Sequence, residues 1–173
     1  MAMNWAVGPA LAYGLTYAGA EGKLQGLKKI DADTTRLALV STVGLSIAFL
    51  GAWVNIARIQ YEMPWPSMMK AKGDKNWLEY NAVQRAYYNF CEAALVVVPI
   101  VLVAAPVAPA AILVASQMWC WGKFFMSYCY AFEADTSRRF DLASWSYLFY
   151  FTVVGYGNLA LLTKLGVSTG LSF

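Results

Sequence analysis

Arg85-Ala-Tyr-Tyr-Asn89-Phe-Cys-Glu92 is the stretch of this 173-residue chain where residue type and spacing could do chemistry. Positions i, i+4 and i+7 fall within about 60° of one another around an α-helix, so Arg85, Asn89 and Glu92 form one polar stripe. A guanidinium forks a carboxylate, an asparagine pairs with an amide and a carboxylate takes an ammonium. A small peptide carrying all three groups is therefore complementary to the stripe. Glu92 also has a structural explanation. A carboxylate inside a membrane span costs about 2.5 kcal/mol or more at the centre and normally faces a partner or a polar cavity. Lys123 falls at about the same depth on the next antiparallel segment, so a buried Glu92–Lys123 ion pair would hold two helices in register.

The elements that must position these residues follow from composition. The chain is 60% hydrophobic, 16% aromatic and only 13% charged, with a mean hydropathy of +0.48. A soluble domain is about a quarter charged, so the expected solvent is a lipid bilayer. Four stretches of spanning length, 37–57, 86–105, 107–132 and 142–163, hold few or no charges. About 20 apolar residues cross the hydrocarbon core as a helix. The expectation is an all-α integral membrane protein, a four-helix transmembrane bundle over 31–173, with an N-terminal apolar arm or partly inserted segment over 1–30. That arm lacks the basic start of a secretory signal and carries Gly8, Pro9, Gly14 and Gly19, so a fifth span stays open.

Asp31-Ala-Asp-Thr-Thr-Arg supplies N-cap candidates before the first span, and Asn76-Trp-Leu-Glu79 supplies a capping signal for the second. Gly44, Ala48 and Ala52, spaced by four, put small residues on one face of the first helix, where another helix can approach closely. Ala105-Pro-Val-Ala-Pro109 is a turn that joins an antiparallel pair. Residues 133–141 read as a short, charged loop before the fourth span. Lys and Arg are seven on the side holding the first and third loops and five on the other, which places the two charged loops on the cytosolic, matrix or stromal side.

Several function classes drop out. The absence of histidine removes the commonest acid/base group and the commonest zinc and haem ligand. Cys91, Cys120 and Cys129 lie inside spans without a CxxC pair, so no disulfide framework and no metal site is expected. The net charge of +3 comes from scattered residues without a basic stripe, so nucleic acid is not an expected partner.

Arg-Ala-x-x-Asn-x-x-Glu at the start of the second of four spans resembles the signature of the MAPEG superfamily, the membrane-associated proteins of eicosanoid and glutathione metabolism. These include microsomal glutathione transferases and the leukotriene and prostaglandin E synthases. The resemblance covers roughly residues 36–163 in span order as well as motif. It implies a homotrimer of four-helix subunits in an endomembrane or organellar membrane, endoplasmic reticulum or mitochondrial. Glutathione, the co-substrate, would be held between neighbours.

On that reading Arg85, Asn89 and Glu92 match the glutathione-binding motif positions, and Arg58 resembles a family arginine that contacts a glutathione carboxylate. Tyr130 and Arg139 match one family spacing for the catalytic tyrosine and the arginine that helps activate the thiol. Tyr128 matches another, and Arg138 would add a ligand contact. A guanidinium beside a thiol of ordinary pKa about 8.5 favours the nucleophilic thiolate, which would attack a hydrophobic electrophile or reduce a lipid hydroperoxide.

Three positions depart from the family pattern. Glu133 and Asp135 sit where basic residues are usual, and Val96 replaces a usual proline, with Pro99 further on. The alternative is a non-catalytic structural subunit of a larger membrane complex. Arg138 and Arg139 would then be positive-inside residues paired with Glu133, Asp135 or Asp141.

Overall fold

A computed structural model describes residues 30–64, 67–132 and 136–168, together with positions 10, 12, 14, 15, 19 and 23; side chains are described outside 132–142. Four long helices make up the bundle: α1 (Ala32–Gln60), α2 (Trp77–Ala104), α3 (Pro109–Phe132) and α4 (Thr136–Lys164). By length and composition, α1 and α2 are apolar enough to cross a membrane. Ala12 is buried in the main core. Most of 1–29 lies outside the described residues, and with it the reading of that stretch as an arm or fifth span.

The helix ends show where local chemistry was legible. Asp31 caps α1, its side chain accepting from the Thr34 N–H at 2.7 Å. Helix α2 begins where the Asn76–Glu79 signal put it, but Asn76 sits in the left-handed region at φ 57° and makes no side-chain cap bond. The Trp77 N–H bonds the Asp74 carbonyl instead. The fourth helix corrects the expectation of a loop over 133–141. It starts at Thr136, so Arg138 and Arg139 belong to its first turns. Hydropathy marks only the apolar part of a helix. Once that part is helical, each further residue adds a backbone bond at small cost.

Helices α2 and α3 form the centre; α1 packs on both, α4 packs on both, and α1 and α4 make no contact among the described residues. The core joins Leu39, Val43 and Leu50 of α1 to Phe90, Val97 and Val101 of α2, Ile112 and Trp119 of α3, and Val153 and Tyr156 of α4. The turn between α2 and α3 needs help from α1. Pro106 has no N–H to give the Leu102 carbonyl, and Arg36 replaces it, donating from Nε at 3.0 Å and Nη2 at 2.9 Å. Thr35 Oγ1 adds a bond to the Pro109 carbonyl at 2.9 Å.

Helix α1 is apolar on both sides. Leu39, Val43, Leu50, Val54 and Ala57 face the bundle, while Leu37, Val40, Leu45, Phe49, Ile56 and Ile59 are exposed. The Gly44–Ala48–Ala52 stripe lies on the outer side. A Cβ on Gly44 would meet nothing within 4 Å, so among the described residues no other helix packs on that face.

Helices α1 and α4 end in the same motif with different residues. At α1 the Glu62 N–H bonds the Ile59 carbonyl and the Met63 N–H bonds the Arg58 carbonyl at 2.8 Å, with Glu62 left-handed at φ 52°. At α4 the corresponding residue is Gly166, at φ 70°. Glycine is favoured there because a Cβ crowds the following carbonyl. Glu62→Gly is therefore expected to raise stability by about 1 kcal/mol. Thermal unfolding in detergent checks this; a lowered Tm would refute it.

Candidate functional site

Arg85, Asn89 and Glu92 share one flank of α2, as their spacing requires. Two of the three already interact: Arg85 Nη1 lies 3.4 Å from Glu92 Oε1, and both side chains face outward, 48% and 60% exposed. Two helical turns separate them by about 10 Å, a distance that the long arginine side chain spans by lying along the helix. The anticipated Glu92–Lys123 ion pair is not formed, since Glu92 pairs with Arg85. Lys123 is only 4% exposed, and its ammonium stands 5.3 Å from the centre of the Tyr147 ring, a cation–π contact.

Depth matching was nonetheless right about neighbourhood. Glu92 and Lys123 line one groove of about 300 Å³ with Asn89, Ala93, Tyr147, Tyr150 and Phe151. The three α4 aromatics went unnoticed in the sequence. Because α4 runs back along α3, a residue about as far after the start of α4 as Lys123 lies before the end of α3 comes to a similar depth, and Tyr147 is within two residues of that position.

The two candidate tyrosines of α3 lie on different flanks. The Tyr128 ring sits 5.7 Å from that of Trp53 of α1. At 100° per residue Tyr130 falls within about 60° of Lys123 and Ser127. Ser127 Oγ donates to the Ala86 carbonyl of α2 at 3.3 Å, so that flank is the α2 side. Neither tyrosine lines the Asn89–Glu92 groove. Arg138 and Arg139 are on the first turns of α4, at the same end of the bundle as Arg58 and Arg85. Their side chains, and the whole of Glu133 and Asp135, lie outside the described residues.

Arg58 is held elsewhere. It is 6% exposed and donates from Nη1 to the Tyr80 hydroxyl at 3.1 Å. Nη2 donates to the Ser67 carbonyl at 2.8 Å and the Pro64 carbonyl at 3.3 Å. The Tyr80 hydroxyl in turn donates to Gln84 Oε1 at 3.3 Å. The loop after α1 is also fixed to α2: Asn81 accepts from the Lys70 N–H and donates to the Lys70 carbonyl, both at 2.9 Å. A second groove of about 420 Å³ lies beside Arg58, between Asn55, Ile59, Glu62, Met63 and Pro64. Within the chain, then, Arg58 and the α2 stripe line separate grooves.

What this arrangement offers chemically is a guanidinium, a primary amide and a carboxylate along one helix edge, beside a groove floored by an ammonium and walled by aromatic rings. It provides for recognition of a small charged molecule at the margin of an apolar surface. No curated protein matches the chain significantly. The family model described as the MAPEG family matches residues 37–160. That match runs from the first turns of α1 to the last turns of α4 and takes in the α2 stripe, the Lys123 groove and both candidate tyrosines, so the chain belongs to the MAPEG family.

Proposed function

We propose that this chain is an integral membrane protein whose four helices all span the bilayer, and that it binds glutathione between copies of itself in a homotrimer. The bound thiolate would conjugate a hydrophobic electrophile or reduce a lipid hydroperoxide. The observation that carries this reading is the outward Arg85–Glu92 pair at the mouth of the apolar run that fills the rest of α2. Charges facing lipid are costly, so that edge calls for a cover. A neighbouring subunit that encloses a polar ligand supplies one. The outward Gly44–Ala48–Ala52 stripe of α1 supports the same association, because small residues let a neighbouring helix approach closely. Arg58 of the neighbour, or Arg138 and Arg139, would complete the site, with Tyr130 favoured over Tyr128 by its α2-facing flank.

The test is calorimetric titration of glutathione into the protein purified in mild detergent. Saturable binding is expected, weakened at least about tenfold by Arg85→Ala, the loss of a charge-assisted contact. Absence of binding to folded wild-type protein would refute the reading.

A second reading, a non-catalytic subunit of a larger membrane complex, draws on a different observation. The Arg58 guanidinium is committed to Tyr80 and two loop carbonyls, and Glu92 is committed to Arg85. These residues then fix structure rather than bind a ligand. Stoichiometric co-purification with other membrane subunits, without glutathione binding, is its expected signature.

A further inference from the structure

The segment between α1 and α2 carries charge that the glutathione reading does not use. Residues 67–76, Ser-Met-Met-Lys-Ala-Lys-Gly-Asp-Lys-Asn, hold three lysines and one acid. The segment is built rather than slack. Asn81 of α2 holds the Lys70 backbone by its N–H and its carbonyl, at 2.9 Å each. Ala71 and Asp74 close a turn on each other: the Asp74 N–H bonds the Ala71 carbonyl, and Asp74 Oδ2 accepts from the Ala71 N–H, both at 3.1 Å. Gly73, at φ 100°, takes a backbone conformation in which a Cβ would be strained. The Lys70 ammonium donates to the Lys75 carbonyl at 2.9 Å.

These bonds gather like charges. The Lys70 ammonium is drawn onto the backbone of Lys75, while Lys72 and Lys75 are exposed on the same turn. Among the described residues, no carboxylate lies within ion-pair distance of the three lysines; the pairs that form are Arg36–Asp33 and Arg85–Glu92. The acid of the turn, Asp74, has an oxygen engaged by the Ala71 N–H. Glu79 stands in the first turn of α2, where the helix dipole favours an acid. Three cations held together by a folded turn suit the oxygens of a phosphate group. Location says which phosphate. The two helices that the turn joins are each long and apolar enough to cross a membrane, which puts the turn at the level of the headgroups. Apolar side chains flank the lysines: Met68 and Met69, 51% and 45% exposed, precede them, and Leu78, 61% exposed, follows. A soluble anion has no use for these side chains, whereas the acyl edge beneath a headgroup takes them out of water.

We propose that this turn is a docking surface for anionic phospholipid of the surrounding leaflet, with the ammonium groups of Lys70, Lys72 and Lys75 on the headgroup phosphate and Met68 and Met69 in the acyl edge. The choline of a zwitterionic headgroup would bring a further cation to the same place, so the surface discriminates by net headgroup charge. The inference rests on the reading that α1 and α2 span the bilayer and is independent of any thiol chemistry.

The test uses the full chain in nonionic detergent, titrated with dioleoyl phosphatidylglycerol and, separately, with dioleoyl phosphatidylcholine, with bound lipid read by native mass spectrometry. Phosphatidylglycerol is expected to bind at least about tenfold more tightly. The double variant Lys72→Gln/Lys75→Gln leaves every backbone bond of the turn in place. It should keep its Tm and narrow the preference to within about threefold, while Lys72→Arg/Lys75→Arg should retain the full preference. Equal binding of the two lipids to wild-type protein would overturn the proposal, and so would a glutamine variant that keeps the preference. Displacement of phosphatidylglycerol by inorganic phosphate would assign the ammonium groups to a soluble anion and overturn it as well. Reconstitution into phosphatidylcholine vesicles separates this inference from the reading beneath it. A chain that an alkaline carbonate wash removes does not span the bilayer, and both fall. A chain that is retained but shows no lipid preference keeps the spanning reading and loses this one.

Discussion

Arg58→Ala is expected to lower stability by about 3 kcal/mol, the largest effect of any single truncation considered for this protein. The guanidinium is buried and makes three bonds: to the Tyr80 hydroxyl and to the Pro64 and Ser67 carbonyls. Removing it leaves the Tyr80–Gln84 pair without its donor inside the small cluster of Val54, Ala57, Met63, Tyr80 and Val83. It also detaches the loop from the end of α1. Lysine keeps the charge but not the planar fork, so Arg58→Lys should recover only about half of the loss. Thermal unfolding in detergent measures the magnitude. Trypsin cleavage at Lys70, Lys72 and Lys75 reports the loop, and faster cleavage in Arg58→Ala is expected. An unchanged Tm combined with lost glutathione binding would instead assign the guanidinium to the ligand.

Gly157→Leu should cost about as much, roughly 3 kcal/mol, for the opposite reason. A Cβ at Gly157 would stand 2.7 Å from Cγ2 of Ile100, closer than carbon atoms pack. Isoleucine is branched at Cβ and has little rotamer freedom in a helix, so α2 and α4 must separate. Against this, replacing an interior glycine gains about 1 kcal/mol of helix propensity, too little to offset the overlap. The double variant with Ile100→Ala should be more stable than the sum of the single losses predicts, by about 1.5 kcal/mol. Strict additivity in unfolding experiments would show that the two residues do not meet.

Much of the scaffold could be read from residues in order. Four helices, the Asp31 cap, the start of α2 after Asn76 and the tight proline turn all depend on neighbours a few positions apart, and those signals are local. The Arg85–Asn89–Glu92 stripe was legible for the same reason, because helical periodicity puts these residues on one flank whatever surrounds them. The start of α4 was not, since hydropathy is silent over the polar residues that follow Thr136.

Partner choice lay beyond the local signals. Depth matching brought Glu92 and Lys123 to one groove, but whether a carboxylate turns toward a lysine on α3 or an arginine on its own helix depends on side-chain directions that only packing sets. Sequence put Arg58 at a helix end, but that the loop folds back so that its guanidinium donates to the Tyr80 hydroxyl and to the Pro64 and Ser67 carbonyls follows only from packing. The inward or outward sense of the Gly44–Ala48–Ala52 stripe was equally open, because a helix apolar on both sides carries no pattern that says which side meets the bundle. The sequence by itself determined the helices, their order and the polar edge of α2, through short-range backbone and periodicity effects. The tertiary structure alone decided which charges pair, which small-residue face stays outward and which groove a buried lysine lines, because those outcomes depend on contacts between helices far apart in the chain.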